Sequence, residues 1–232
     1  MRGYRFVTDD LKSKNGEVQW EIGKWQKHDG ELKLCKSGFH ASKEPLDSLN
    51  YVFGSRWFIC EARGKILEDD DKFCAEEMRL LREIPDLKRL MVRFAVDCAK
   101  RCLPRFEAVF PEDECPREAI EAAEVWFKNP TEENRRAAES AAESAAWSAA
   151  WLAAEPAWSS VGAAAESARS AARAAARSAW SARSAGSATR LAAWSAAESA
   201  AWSAGAAAGS AGLAERKWQR KHLNKLIKET KQ

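Results

Sequence analysis

The chain has 232 residues, 46% of them hydrophobic and 31% charged, with a net charge of +3, which suits one or two soluble domains with a real core and excludes a disordered acidic or basic tail. Residues 1–85 carry 15 Lys/Arg against 16 Asp/Glu, residues 86–136 carry 10 against 11, residues 137–214 carry 5 against 5, and residues 215–232 carry 7 against 2. The excess positive charge sits in the final segment, so the sequence offers no extended basic face of the kind a nucleic-acid binder needs to neutralise phosphates.

The start, Met1 to Asp10, has no apolar h-region, and the longest charge-free stretches are rich in Ala and Ser rather than Leu and Ile. The sequence therefore predicts a cytoplasmic chain with no transmembrane segment. Residues 1–85 alternate short apolar runs with Gly, Asn and Asp. Tyr4-Arg5-Phe6-Val7, Leu32-Lys33-Leu34, Trp57-Phe58-Ile59-Cys60, Lys65-Ile66-Leu67 and Met78-Arg79-Leu80-Leu81 read as strands. The exception is Pro45 to Tyr51, where Leu46, Leu49 and Val52 or Phe53 repeat at helical spacing; Ser42 is the expected N-cap, and Glu44 and Pro45 suit a first turn. The acidic run Glu68-Asp69-Asp70-Asp71 reads as a solvated turn.

From Asp86 the period changes. Leu87, Leu90, Met91, Phe94, Ala95, Cys98 and Cys102 fall three and four apart, predicting an amphipathic helix that stops at Leu103-Pro104. A second helix is expected after Pro116, with Ala119, Ile120, Ala123, Trp126 and Phe127 on one side, ending at Asn129-Pro130; Thr131 then offers an N-cap. The cysteines at 35, 60, 74, 98, 102 and 115 contain no CxxC pair, so they read as buried thiols and no metal site is expected.

In residues 137–214, 36 of 78 positions are Ala, 15 are Ser and six are Trp, a composition that predicts helices punctuated at Pro156, Gly162, Gly186, Gly205, Gly209 and Gly212. The decapeptide from Ser140 to Ala149 recurs unchanged from Ser195 to Ala204, and Trp147, Trp158, Arg169, Trp180, Leu191, Trp202 and Leu213 lie 11 residues apart, close to three helical turns. Ala and Ser let helix backbones approach while the Trp rings supply area, so an inward-facing stripe or a homo-oligomer through these helices is expected. Arg169, Arg173 and Arg177, spaced by four on one helix face, are candidates for lining a nucleotide pocket. Leu213, Trp218, Leu223, Leu226 and Ile227, set among the basic residues of the tail, suggest a final helix over about 213–230.

Gly38-Phe39-His40-Ala41-Ser42, Pro45 to Tyr51, Cys60 to Ile66 and Asp71-Lys72 form a set of motifs. Through them residues 1–85 resemble an uncharacterised domain family of phages and bacteria. The helices that follow, with Val92-Arg93-Phe94-Ala95, Arg101 to Glu107, Pro116 to Ala123 and the Ala-rich run, look like an immunity-protein family found near toxin genes and in phages. That likeness implies a binding role and carries no catalytic residues over.

The expected architecture is α+β: a small strand-rich domain over 1–85, then an α-helical bundle over 86–232 with an Ala/Ser/Trp-rich core, its Ala-rich helices at about 131–214. The expected function is non-enzymatic binding of a protein partner, or of a signalling nucleotide, in immunity or counter-defence, with no cofactor. Candidate binding residues are Phe39, His40, Ser42, Tyr51, Arg56, Trp57, Arg169, Arg173 and Arg177; Trp20 and Trp25 near Lys24 are further candidate contacts. The enzymatic alternative is an ADP-ribosyltransferase-like domain using NAD. Arg5 and His40 would hold the dinucleotide, and Glu76 or Glu77 would stabilise an oxocarbenium-like state with a fixed negative charge.

Overall fold

A computed structural model of the chain describes residues 1–14, 17–108, 110–138, 140–141 and 210–230. They divide into two compact units. One takes Met1–Leu87 together with the chain from Leu223 onward, the other Lys88–His222.

The first unit is built on five strands: β1 (Arg2–Val7), β2 (Gln26–Lys27), β3 (Phe39–Ser42), β4 (Arg56–Glu68) and β5 (Lys72–Glu83). The long β4 and β5 form a hairpin across the acidic turn, where Asp69 N donates to Lys72 O at 2.9 Å. Lys65-Ile66-Leu67 and Met78 to Leu81 are thus parts of this hairpin rather than separate short strands. β1 lies antiparallel to β4 along its whole length, from Arg2 opposite Glu61 to Val7 opposite Arg56. β3 pairs antiparallel with β5 from Phe39 opposite Ala75 to Ser42 opposite Lys72, and β2 continues that edge at Gln26 opposite Met78. The ring closes where β3 meets β1, and there the register gives one pair, Tyr4 opposite Ser42.

Alternation along the strands fills the barrel-like interior with Val7, Phe39, Ala41, Phe58, Cys60, Ala62, Phe73, Ala75, Met78 and Leu80, joined by Trp20 from the loop after β1. The inward set changes phase between Ala75 and Met78, beside the register shift after Arg63, where β4 carries the extra residue; at the shift after Ile59 the extra residue is on β5. Gly64 sits at φ +76° in the second bulge, and the bulge's Lys65 N–H is satisfied by the Glu76 carboxylate at 3.2 Å. Elsewhere on β1 and β4, Phe6 stacks on Trp57 with centroids 5.4 Å apart.

Two local expectations fail here. Leu32-Lys33-Leu34 is a turn, not a strand: Lys33 bridges Ser37 and Cys35 takes φ +63°, so the chain reverses within a few residues. Ser42 does not cap the helix that follows, because it is held in β3 between Tyr4 and Lys72. Helix α1 (Pro45–Ser48) instead has Glu44 at its N-cap without a side-chain bond, starts with Pro in its first turn, and runs into a 3-10 turn at Leu49–Tyr51.

The second unit contains α2 (Leu87–Glu107) and α3 (Cys115–Lys128). Val92, Val96 and Ala99 pack against Ala119, Ile120 and Ala123, the interlocking of one small-residue face with another. α2 does not stop at Leu103 but carries Pro104 within it, and Ala108 N donates to Pro104 O at 3.1 Å, so the following turn keeps its hydrogen bond. Thr131 Oγ1 accepts from Asn134 N at 3.2 Å, the N-cap expected there. Helix α4 (Ser210–Glu229) begins in this unit. Its Trp218 stacks on His222 at 4.6 Å under the Arg101 guanidinium at 4.2 Å, and His222 Nε2 lies 2.6 Å from Asp97 Oδ2. From Leu223 the helix counts with the first unit, where Leu223, Leu226 and Ile227 are buried and Asn224 donates to Glu44 at 3.1 Å.

The Ala-rich repeats, their Trp series and Arg169, Arg173 and Arg177 lie outside the described residues. Among the described residues no helix is long and apolar enough to cross a membrane. Cys35 is exposed and Cys115 half-buried, so the expectation of buried thiols holds for Cys60, Cys74 and Cys98.

Gly54 sits where the chain enters β4, and a Cβ there would run into the Val7 carbonyl and lie 2.8 Å from Thr8 N, both rigid backbone. Gly54→Ala should therefore lose about 3 kcal/mol of stability. Gly23→Ala, at φ +82° but in open space, should lose about 1 kcal/mol from backbone strain alone. Chemical denaturation of the two variants checks the order.

Candidate functional site

Because β1 and β3 meet at Tyr4 and Ser42, the strands are unpaired on the side where Arg5 and Phe6 would continue opposite Ala41 and His40. A cavity of about 660 Å³ opens at this seam. Its walls come from β1, from the turn at Cys35 to Gly38, from β3 and from the 3-10 turn with Val52 and Phe53; Lys72 and the segment around Ser13 and Val18 complete it.

Arg5 is the side chain that crosses the seam. It stands opposite Phe58 on β1, the inward register, and its Nη1 donates to the His40 carbonyl at 2.5 Å. Its guanidinium lies 4.9 Å from the Trp20 ring centre, and its Nε is sealed from solvent with no hydrogen-bond partner. No carboxylate among the described residues pairs with it. Burial pulls its pKa down to about 10, which leaves it charged at neutral pH. A half-buried cation held by one carbonyl and an aromatic face is an incompletely compensated charge.

His40 serves the turn beside it. Nε2 accepts from Cys35 N at 2.9 Å, so the ring proton must lie on Nδ1, 3.1 Å from Gly38 O. Burial, then the charge of Arg5, holds its pKa below the usual histidine value, with Lys72 adding to the effect against the Gly38 contact. Gly38 itself takes φ +103°, and a Cβ there would meet Cys74 Sγ at 2.5 Å and Leu32 at 2.6 Å, so this turn has room only for glycine.

On the rim, Tyr51 Oη donates to Asp71 at 2.5 Å and accepts from Lys72 Nζ at 3.1 Å, with the Lys72 ammonium 4.7 Å over the Tyr51 ring. Burial and the Asp71 bond raise the Tyr51 pKa, and the bond to Tyr51, followed by Cys35, raises that of Lys72. His28 Nε2 meets Ser37 Oγ at 2.8 Å on another wall.

The cavity thus brings together Arg5, Phe39, His40, Ser42 and Tyr51 from the sequence candidates. The others lie elsewhere. Trp57 is fully buried under Phe6, and Trp20 is equally enclosed in the barrel, so neither is an accessible contact. Arg56 is clamped by Glu83 through two bonds of 3.0 and 2.5 Å. Trp25 lies between Arg63 at 4.1 Å and Arg79 at 4.7 Å. Glu76 caps the Gly64 bulge and Glu77 is bonded to Arg63 at 2.7 Å, and neither lines the cavity. Lys72, Cys35, His28 and Phe53 line it and were missed. Lys72, following three aspartates, carried a signal as a lone cation in an acidic turn; the others come from turns whose course the sequence pattern does not encode. Among the described residues no cluster of His, Cys, Asp and Glu is placed to hold a metal ion.

Residues 1–91 match a family model described as a domain of unknown function (DUF7666), a span that takes in all five strands and ends within α2. No curated protein and no solved structure matches the chain.

Folding favours neutral His40, so below its ordinary value of 6.5 the unfolded chain takes up a proton that the folded chain resists. The stability this contributes is complete above that value and is lost as pH falls through the lower folded value. His40→Gln keeps an acceptor for Cys35 N–H and a donor for Gly38 O but does not titrate. The denaturation midpoint of the unaltered chain should fall more steeply than that of the variant between about pH 7.5 and 5; parallel curves would show that His40 does not couple to folding.

Proposed function

We propose that the chain is a non-enzymatic interaction protein whose strand-rich domain captures its ligand or a group of its partner in the seam cavity. One observation carries this reading: an open cavity of about 660 Å³ gathers Arg5, Lys72 and Tyr51, while its His40 ring is bonded on both nitrogens to the chain's own backbone. A cavity of this volume suits a small organic ligand or an inserted side-chain group. The setting, immunity or phage counter-defence with a protein or signalling nucleotide as the companion, is supported by the resemblance of the helices to the immunity-protein family.

An NAD-dependent transferase needs a carboxylate facing the ribose beside Arg5 and His40. The carboxylates the sequence offered for that role, Glu76 and Glu77, serve the β-bulge and Arg63 instead. The binding reading therefore stands ahead of the enzymatic one.

The test is native mass spectrometry of the tagged full chain purified from its native host, beside Tyr51→Ala and Phe53→Ala. Tyr51 is exposed and Phe53 half-buried, so both variants should stay folded. The expected result is a companion retained by the unaltered chain and weakened about tenfold or more by loss of either ring. A companion retained by both variants would move the site out of the cavity. NAD turnover that Glu76→Gln or Glu77→Gln abolishes would replace binding by transfer.

A further inference from the structure

The charge balance of the seam cavity points to the chemistry of its ligand. Among the described residues four cations line it, Arg5, Lys14, Lys36 and Lys72, against one carboxylate, Glu17. The three lysines reach solvent in ordinary ways. Arg5 is held differently: its Nε is buried without an acceptor, and its one hydrogen bond among the described residues goes to a carbonyl rather than to an anion. A guanidinium drawn partly out of water is normally matched by a carboxylate, because an uncompensated buried charge is destabilising. Among the described residues no carboxylate meets it, and half-buried Arg5 lines the open cavity.

Arg5 and Lys72 both line the cavity, and the charge of each bears on the His40 ring. Two cations call for a dianion more than for a single carboxylate. A guanidinium fork binds phosphate oxygens in pairs, and an ammonium supplies a point charge beside it. The volume far exceeds an inorganic ion, and Tyr51 and Phe53 give aromatic surface to an organic portion.

We propose that the seam cavity is an anion site centred on Arg5, with Lys72 as its second cation, and that its ligand is a phosphorylated small molecule of nucleotide size. The phosphate sits against the guanidinium edge and its organic part lies toward Tyr51 and Phe53. This rests on the reading of the cavity as the binding site and adds the class of ligand to it.

Isothermal titration of the full chain tests the proposal with the four ribonucleoside monophosphates, their neutral nucleosides and inorganic phosphate. At least one monophosphate should bind, its nucleoside should bind at least about tenfold more weakly, and affinity should fall with added salt. Arg5→Met should weaken binding by about thirtyfold or more, yet leave Tm within about 4 °C of the unaltered chain, because the lost bond to His40 O is offset by removal of an uncompensated charge. Lys72→Met, a change at the rim, gives the same test through about a tenfold loss should Arg5→Met fail to fold.

Nucleosides binding as tightly as their monophosphates, or monophosphate affinity unchanged in Lys72→Met and in a folded Arg5→Met, would overturn the anion site. Absence of any monophosphate binding would overturn it too. If a native companion were still lost from Tyr51→Ala in that last case, the cavity would remain the binding site with a ligand of another class; if the companion were indifferent to Tyr51 as well, both readings would fall together.

Discussion

The strand-rich domain depends on how a ring of few strands is closed. Antiparallel pairing is continuous from β1 to β4, from β4 to β5 and from β5 to β3, but β3 returns to β1 at one residue pair, Tyr4 with Ser42. Past that pair the two strands part, and Arg5 crosses the gap to the His40 carbonyl. Each of the features that give the site its character follows from this short closure. A full ladder would have satisfied the His40 carbonyl with a backbone N–H and left no room for a guanidinium. The parted strands leave instead a cavity with a half-buried cation in its lining, and the turns before β3 and after α1 become its walls.

The supporting residues keep that opening in shape. Gly38 allows the turn to approach Cys74 and Leu32, His40 staples the same turn at Cys35 and Gly38, and Gly54 lets the start of β4 pass against the Val7 carbonyl. The Gly64 bulge, capped by Glu76, lets the β4–β5 hairpin twist enough to serve both sides of a narrow ring. Three other arginines are occupied by carboxylates: Arg63 with Glu77, Arg79 with Glu61 and Arg56 with Glu83. Arg5 differs from these three in facing inward, where no carboxylate among the described residues meets it.

Much of this was legible in the sequence. The alternating runs of the first 85 residues placed β1, β4 and β5, the Pro45 helix and the acidic turn, because strand period and proline position are local signals. The α2 and α3 stripes were equally local. The failures were tertiary. Leu32-Lys33-Leu34 has the composition of a strand, but one residue with positive φ turns it; Ser42 has the side chain of a cap, but the β3 ladder holds it; Pro104 looked like a stop, but the turn after it keeps its hydrogen bond. Of the candidate site, Arg5, Phe39, His40, Ser42 and Tyr51 were chosen from the sequence and do gather. Trp57 and Arg56 were not separable from them, since an aromatic beside a cation reads alike whether it lines a cavity or is buried under Phe6 and clamped by Glu83. The seam was not legible at all, because it is set by where pairing between two distant strands ends.

The central claim is that Arg5 is held ready for an anion, and its own Nε–H reports this most directly. In protein labelled with nitrogen-15 at arginine, the Arg5 Nε–H resonance is assigned by its absence from Arg5→Met and followed while a ribonucleoside monophosphate is added. The account predicts a slowly exchanging signal that shifts, as an anion settles against the cavity-facing part of the same guanidinium, and saturates with the binding isotherm. A ligand that binds while the Arg5 Nε–H signal stays where it was would contradict it.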